Sequence, residues 1–270
     1  MTNVFTDAGI NRLSYSALEA IRQNFYEWLT QQADDVRGEP NLPMIAGSVA
    51  EKAIEFGLLM PDAKISMCEE IARKEFHHRT TFEGFSEDVR QARLDTLCGY
   101  GTASKSYPGM VANGVKALRP YGIPSDTQVR IETSLKGIPI PIIGFKDFSY
   151  DHHGIDIDLK TTSKMPKIMS PSHQLQGAIY WHASNNRTQR FCYVTKSEAK
   201  ILELDTYAAE QAIHEATAIA HTLMRLLEKH KTLQELMKYI VPNWGDYRWS
   251  PQTRAKAMDV WEENLKASLV

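Results

Sequence analysis

The stretch GIDIDLKT, residues 154–161, constrains the fold of this chain more than any other. Its strict alternation sends Ile155, Ile157 and Leu159 to one face of a strand and Asp156, Asp158 and Lys160 to the other. Two β-rich runs precede it, TQVRIETSL at 127–135 and GIPIPIIGFKDFSY at 137–150. Lys136-Gly137 and Asp151-His152-His153-Gly154 supply turns between the runs, so a meander of three strands is expected. SPSHQLQGAIYWHA then reads as a helix started by Ser170, Pro171 and Ser172, and RFCYVTK as a further strand. The order strand, strand, strand, helix, strand specifies an α/β (α+β) fold with a mixed sheet covered by helices.

Helical periodicity fills most of the remainder. Ser14 to Gln31 predicts one helix, with Ser16 and Glu19 in capping-box spacing and Leu18, Ile21, Phe25, Trp28 and Leu29 on its apolar face. Residues 33–44, with Pro40 and Pro43, read as a loop, and AGSVAEKAIEFGLL as a second helix carrying Glu51 and Glu55 one turn apart. Further helices are expected near 63–76, 87–98 and 109–118. Ile213, Ala216, Ala220, Leu223 and Leu227 predict a long amphipathic helix over 205–230, and a last helix runs to about Ala267. We read one domain over 1–270: an N-terminal helical segment 1–46, a core 47–197 with a helical insertion 63–121, and C-terminal helices 198–270.

Composition narrows the class. With 43% hydrophobic and 24% charged residues among 270, the chain can bury a core, and disordered or low-complexity architectures are excluded. The longest apolar stretch, Ile138–Ile143, includes two prolines, too short and broken for a bilayer span. No basic segment followed by an apolar one opens the chain, so a cytoplasmic protein without membrane contact is expected. Cys68, Cys98 and Cys192 form no CxxC, which argues against a disulfide scaffold, a zinc ribbon or a Cys-ligated iron-sulfur cluster. Net charge is −2, yet Lys160, Lys164, Lys167, Arg187, Arg190, Lys196 and Lys200 stand against Glu198 alone between 160 and 200. Such a local basic array suits a phosphate-bearing ligand, or is ordinary solvated surface.

The chemistry concentrates around GFKDF and GIDIDLKT. A hairpin through 151–154 brings Asp147, at the end of one strand, near Asp158 on the next. Two aspartates beside Lys160 can bind a hard divalent cation through oxygen, with the lysine placed to orient or deprotonate a bound water. The plainer reading of an Asp beside a Lys on a strand is a solvated cross-strand ion pair. His77-His78, His152-His153 and the pair His214 and His221 read as turn, surface or packing residues. Trp244, Tyr247, Arg248 and Trp249 either stack on unpaired bases or plug the C-terminal helices onto the core.

Four short motifs occur in order: Gly47 to Glu51 on a helix, Gly144 to Asp147, Asp158-Leu159-Lys160, and Gln176 to Tyr180 on the following helix. Together they resemble the PD-(D/E)XK nuclease superfamily, in the RecB-like and phage exonuclease branch of lambda exonuclease and exonuclease VIII. The resemblance covers Gly47 to about Thr195, and Ser14 to Trp28 weakly resembles the opening helix of that branch. It implies a restriction-endonuclease-like αβββαβ core and a Mg²⁺- or Mn²⁺-dependent deoxyribonuclease acting at linear DNA ends in recombination, repair or phage DNA processing. Asp147, Asp158 and the Leu159 carbonyl would hold the metal, Glu51 would join them directly or through water, and Lys160 would be the catalytic lysine. Gln176 and Tyr180 would contact the scissile strand and organise the site. Lys164 and Lys167 are candidates to grip the phosphate backbone, and Arg12, Arg22 and Tyr15 to hold a strand end. The three unclustered cysteines depart from the cluster-bearing relatives. By analogy, a single-strand annealing protein is a candidate partner and a homo-oligomer a candidate state. The alternatives are a structure-selective endonuclease of the same superfamily and a DNA-binding module that kept the fold without activity.

Overall fold

The computed structural model describes residues 3–36, 40–81, 100–246 and 248–268. The helix expected at 87–98, Cys98 and Tyr247 lie outside them. The fold is mixed α/β: five strands in the spatial order β1-β2-β3-β4-β5 lie between two helical layers. The strands are β1 (Asp126–Thr133), β2 (Ile142–Tyr150), β3 (Ile155–Thr161), β4 (Thr188–Val194) and β5 (Ala199–Glu203). Only β3 and β4 pair in parallel, joined by the helix Pro171–Ala183; the other three pairings are antiparallel.

Helices are α1 (Val4–Asp7), α2 (Tyr15–Gln23), α3 (Phe25–Asp34), α4 (Leu42–Leu59), α5 (Ile65–Thr81), α6 (Tyr100–Leu118), α7 (Pro171–Ala183), α8 (Thr206–His230), α9 (Leu233–Met237) and α10 (Pro251–Ser268). One face of the sheet buries Ile157, Leu159, Cys192 and Val194 against α4, α5 and α6. The other buries Ile142, Phe191 and Tyr193 against α1 to α3 and α7 to α10. Because both faces are covered, the polar side of β3 does not meet solvent: Asp156 and Asp158 are 1% and 5% exposed. A solvated ion pair is thereby ruled out.

Several boundaries differ from the sequence reading, each for a local reason. The first long helix is two, broken at Asn24, whose backbone (φ −148°, ψ 79°) leaves the helix and whose side chain caps α3 at Glu27. The cap of α2 is Ser14, accepting from Ala17 N–H, and Ser16 lies inside the helix. Helix α4 starts at Leu42, four residues before the expected start, because Asn41 caps it and Pro43 falls in its first turn, where the missing N–H costs nothing. Helix α6 runs through Pro108, held by Tyr107, Met110 and Val111 against α4. The C-terminal segment opens with a strand, β5, which is short and half-buried and carries little periodicity.

Two close approaches explain motif glycines. A Cβ on Gly47 would stand 2.6 Å from Thr161 Oγ1, so the bare backbone lets α4 lie against the end of β3. A Cβ on Gly144 would stand 2.6 Å from the Tyr180 ring, which lies on that backbone instead. At the N-terminus Leu13 bridges the start of β2 (Leu13 N–H to Pro141 O and Ile143 N–H to Leu13 O, both 2.9 Å), anchoring the chain just before Tyr15.

Candidate active site

Antiparallel strands β2 and β3 pair only from Phe148–Ile157 to Tyr150–Ile155; beyond that point they splay while β3 stays paired with β4. The freed N–H of Leu159 is taken by Asp147 Oδ2 at 2.7 Å. In an extended strand the N–H and C=O of one residue point the same way, so the Leu159 carbonyl faces the same gap. The carboxylate of Asp147 thus fills the opening between the strands.

Strand β2 also changes face at this residue. Ile142, Gly144 and Lys146 point to the α7 side, toward the core, the Tyr180 ring and Asp156 respectively, whereas Phe148 and Tyr150 point to the α4 side. Strict period-two alternation would keep all five on one face. Strand β1 switches at the opposite residue: Ile131 faces the α7 side, while Thr127 donates to Glu55 on α4. Its pairing with β2 runs in register on either side but omits Gln128 and Asp147, and Gln128 has φ +52°. Asp147 is therefore a pivot residue, placed to meet groups from both sides of the sheet.

From the α7 side come Asp158, Gln176 and Tyr180. Gln176 Nε2 donates to Asp158 Oδ2 at 2.5 Å and to Tyr180 OH at 3.1 Å, while its Oε1 is buried with no protein donor. Lys160 forms an ion pair with Asp158 Oδ1 and lies 5.7 Å from the Phe191 ring centroid. From α4 comes Glu51, linked to the pivot through Gln128, whose Nε2 donates to Glu51 Oε1 at 2.8 Å and to Asp147 Oδ1 at 3.4 Å. Glu51, Asp147, Asp158, Lys160, Gln176 and Tyr180, far apart in sequence, are thus one cluster.

Its electrostatics are crowded with acid. Burial, then the Asp147 charge, pushes Glu51 up to about 7. Burial, then Asp158, does the same to Asp147, also to about 7, and Asp158 is raised by burial too. Burial alone would lower Lys160, but Asp158, Tyr15 and Asp147 outweigh it and raise the ammonium above its ordinary value. Beside these acids Lys160 is held as a cation. Tyr15 lies within electrostatic reach of Lys160, Asp158 and Asp147, and burial raises its hydroxyl. His173, in the first turn of α7, bonds Tyr193 OH at 2.8 Å and is lowered to about 4 by burial and then by Lys160, so it is neutral.

A hard divalent cation fits this donor set. Every donor is oxygen, and three carboxylates, Asp158 buried and Glu51 and Asp147 half-buried, raise one another's proton affinity and are relieved by a proton or by a cation. Among the described residues no group of three or more His, Cys, Asp or Glu side chains is arranged to hold a metal ion by itself. Magnesium does not require one, since it is held by one or two carboxylates and keeps several waters.

The remaining sequence candidates divide. Lys164 and Lys167, on the loop leaving β3, are exposed, as is Arg12. Arg22 is not free for a ligand: it bonds Glu215 at 2.8 Å and Glu19 at 2.5 Å. Nor is the basic window a single face, because Arg187 pairs with Asp151 and Arg190 with Glu203 at the start of β4. His152 and His153 both approach the Tyr121 carbonyl, as turn residues. Trp244 and Trp249 stack on each other, and Trp244 also meets the Tyr26 ring, so they plug the C-terminal helices onto α3. Gln128 had no signal in the sequence, since a glutamine within a β-rich run reveals neither a left-handed backbone nor a face switch.

No protein-family model matches the chain, and no curated protein matches it in sequence. A crystal structure of a protein from Eubacterium rectale, named a "putative exonuclease", aligns over 82% of both chains at 13% identity with a TM-score of 0.51. The two chains share a fold. The structure of SSO0001 aligns over 72% of this chain and 83% of its own at 12% identity, but its TM-score of 0.28 is too low to bear on this protein. No helix among the described residues is long and apolar enough to cross a membrane.

Proposed function

We propose that this protein is a Mg²⁺- or Mn²⁺-dependent deoxyribonuclease that removes nucleotides from linear DNA ends. The observation that carries the reading is the convergence of Glu51, Asp147, Asp158 and Lys160 on the gap between β2 and β3. Asp147, Asp158, the Leu159 carbonyl and Glu51 would hold the metal, which when bound supplies an activated water and charge neutralisation at phosphorus. Lys160, paired with Asp158, would stabilise the negative charge that grows on the phosphate in the transition state. Gln176 holds Asp158 by one carboxylate oxygen and leaves its own Oε1 as an acceptor at the site. Lys164 and Lys167, exposed on the loop that leaves β3, would neutralise phosphates of the bound strand. Action at ends, rather than within a strand, is supported by the motif resemblance and by the name of the Eubacterium rectale protein that shares the fold.

The test is cleavage of end-labelled linear DNA beside a closed circle, with Mg²⁺, Mn²⁺ or EDTA, by wild type and Lys160→Ala. Loss of linear DNA alone, abolished by EDTA and reduced about 10²- to 10³-fold in the folded variant, is expected. Cutting of the circle would replace the exonuclease with an endonuclease. No cutting of any substrate, with metal bound, would leave a DNA-binding module.

A further inference from the structure

Gln128 is the one described residue outside glycine that takes a positive φ within a strand. The others, Asp35, Asn185, Asn186 and Lys231, lie at helix ends or in a turn. A left-handed backbone at a non-glycine residue is strained, and a strand offers no local hydrogen bond that favours it. Here the strain coincides with three other features. Gln128 stands opposite Asp147 in the β1–β2 register, the pair is missing from the ladder, and both strands change face there. The amide that this backbone aims reaches two carboxylates from different elements, Glu51 on α4 and Asp147 on β2.

We infer that Gln128 is a positioning residue of the carboxylate centre, whose amide holds Glu51 and Asp147 at a common edge ready to receive a divalent cation. The inference rests on the nuclease reading and adds a residue to it. A side-chain amide donates two N–H groups and carries no charge, so it can gather two carboxylates without neutralising them as a lysine would. Partners that orient metal ligands in this way commonly govern affinity for the metal as strongly as they govern turnover.

The experiment is Mn²⁺ binding to metal-free protein, measured by calorimetry or electron paramagnetic resonance, with thermal melting of the same samples. Gln128→Gly keeps the backbone, because glycine adopts positive φ freely, and deletes only the amide. Gln128→Ala deletes the amide and retains the strain. Both variants are expected to bind Mn²⁺ about 10- to 100-fold more weakly than wild type, although the glycine variant melts at or above the temperature of the alanine variant. Wild-type Mn²⁺ affinity in Gln128→Gly would overturn the inference while leaving the nuclease reading intact. A loss of affinity matched by loss of the fold in that variant would overturn it too, by making the role structural. Wild type that binds no Mn²⁺ would remove both.

Discussion

Strand β3 carries two aspartates, two residues apart on the same face, and each has a lysine and a glutamine as partners. Asp156 receives Lys146 Nζ at 3.0 Å, Ser149 Oγ at 2.9 Å, Gln189 Nε2 at 3.0 Å, and the Arg187 guanidinium at 3.5 Å. Asp158 receives Lys160 and Gln176 but shares its surroundings with Asp147 and Glu51. The residue types are alike and the balance is opposite. Around Asp156 donors outnumber acids, and strands β2, β3 and β4 are stitched together at Ser149–Asp156–Gln189 just before β2 and β3 part. Around Asp158 acids outnumber cations, and the surplus negative charge is what a divalent ion would balance. What else faces an Asp–Lys pair decides whether its charge is balanced or left in surplus.

Breaking the first set should have the largest effect on the fold. Asp156→Ala leaves Lys146 buried without an anion, and we expect a loss of about 3–5 kcal/mol in urea unfolding. A loss below about 1 kcal/mol would erase the distinction between the two sets, because Asp156 would then hold nothing together.

The second set should show itself in the pH dependence of stability. Asp147 titrates at about 7 in the folded chain against 3.8 when free, so metal-free protein binds the extra proton between those values and loses stability as pH rises from about 4 to about 7. Asp147→Asn should flatten that slope by up to about 1.4 kcal/mol per pH unit. His173, lowered to about 4, acts in the opposite sense below 6.5, but both proteins contain it, so their difference reports Asp147 together with the push it gives Glu51. Saturating Mg²⁺ should also flatten the wild-type slope, since the ion holds the carboxylates ionised. Parallel curves for wild type and variant would mean that Asp147 carries its charge throughout.

The smallest effect should separate free cations from engaged ones. Lys164→Ala with Lys167→Ala should reduce the slope of log affinity for DNA against log salt by about 2. Arg22→Ala should leave it unchanged, because Glu19 and Glu215 already neutralise that guanidinium. Equal effects from both changes would place the nucleic acid on α2 as well.

The β3 run and its neighbours were legible because period-two alternation and turn residues are local signals. They specified three strands, the crossover helix α7 and the fourth strand, and they brought Asp147 near Asp158. Other features depend on distant chain. The alternation of GIDIDLKT suggested one wet face, yet α7 covers it, and only tertiary packing decides that. The break at Asn24 turns on one side chain choosing to cap a new helix. Arg22 looked available because Glu215, 193 residues further on, is invisible to any local window. The face switch at Gln128 and Asp147 breaks the periodicity by which strands are recognised, so it was least legible where it matters most to the site.

The hydrogen bond from Gln128 to Glu51 joins residues 77 positions apart, and Asp158 lies further along the chain still. At a synthesis rate of about 5–20 residues per second, Glu51 leaves the ribosome roughly 5–20 s before Asp158. For most of that interval the chain carries Glu51 alone of the three acids, with Asp147 following only shortly before Asp158. A truncated product ending before Asp158 carries Glu51 but lacks Asp158, Lys160, Gln176 and Tyr180, so it cannot assemble the cluster.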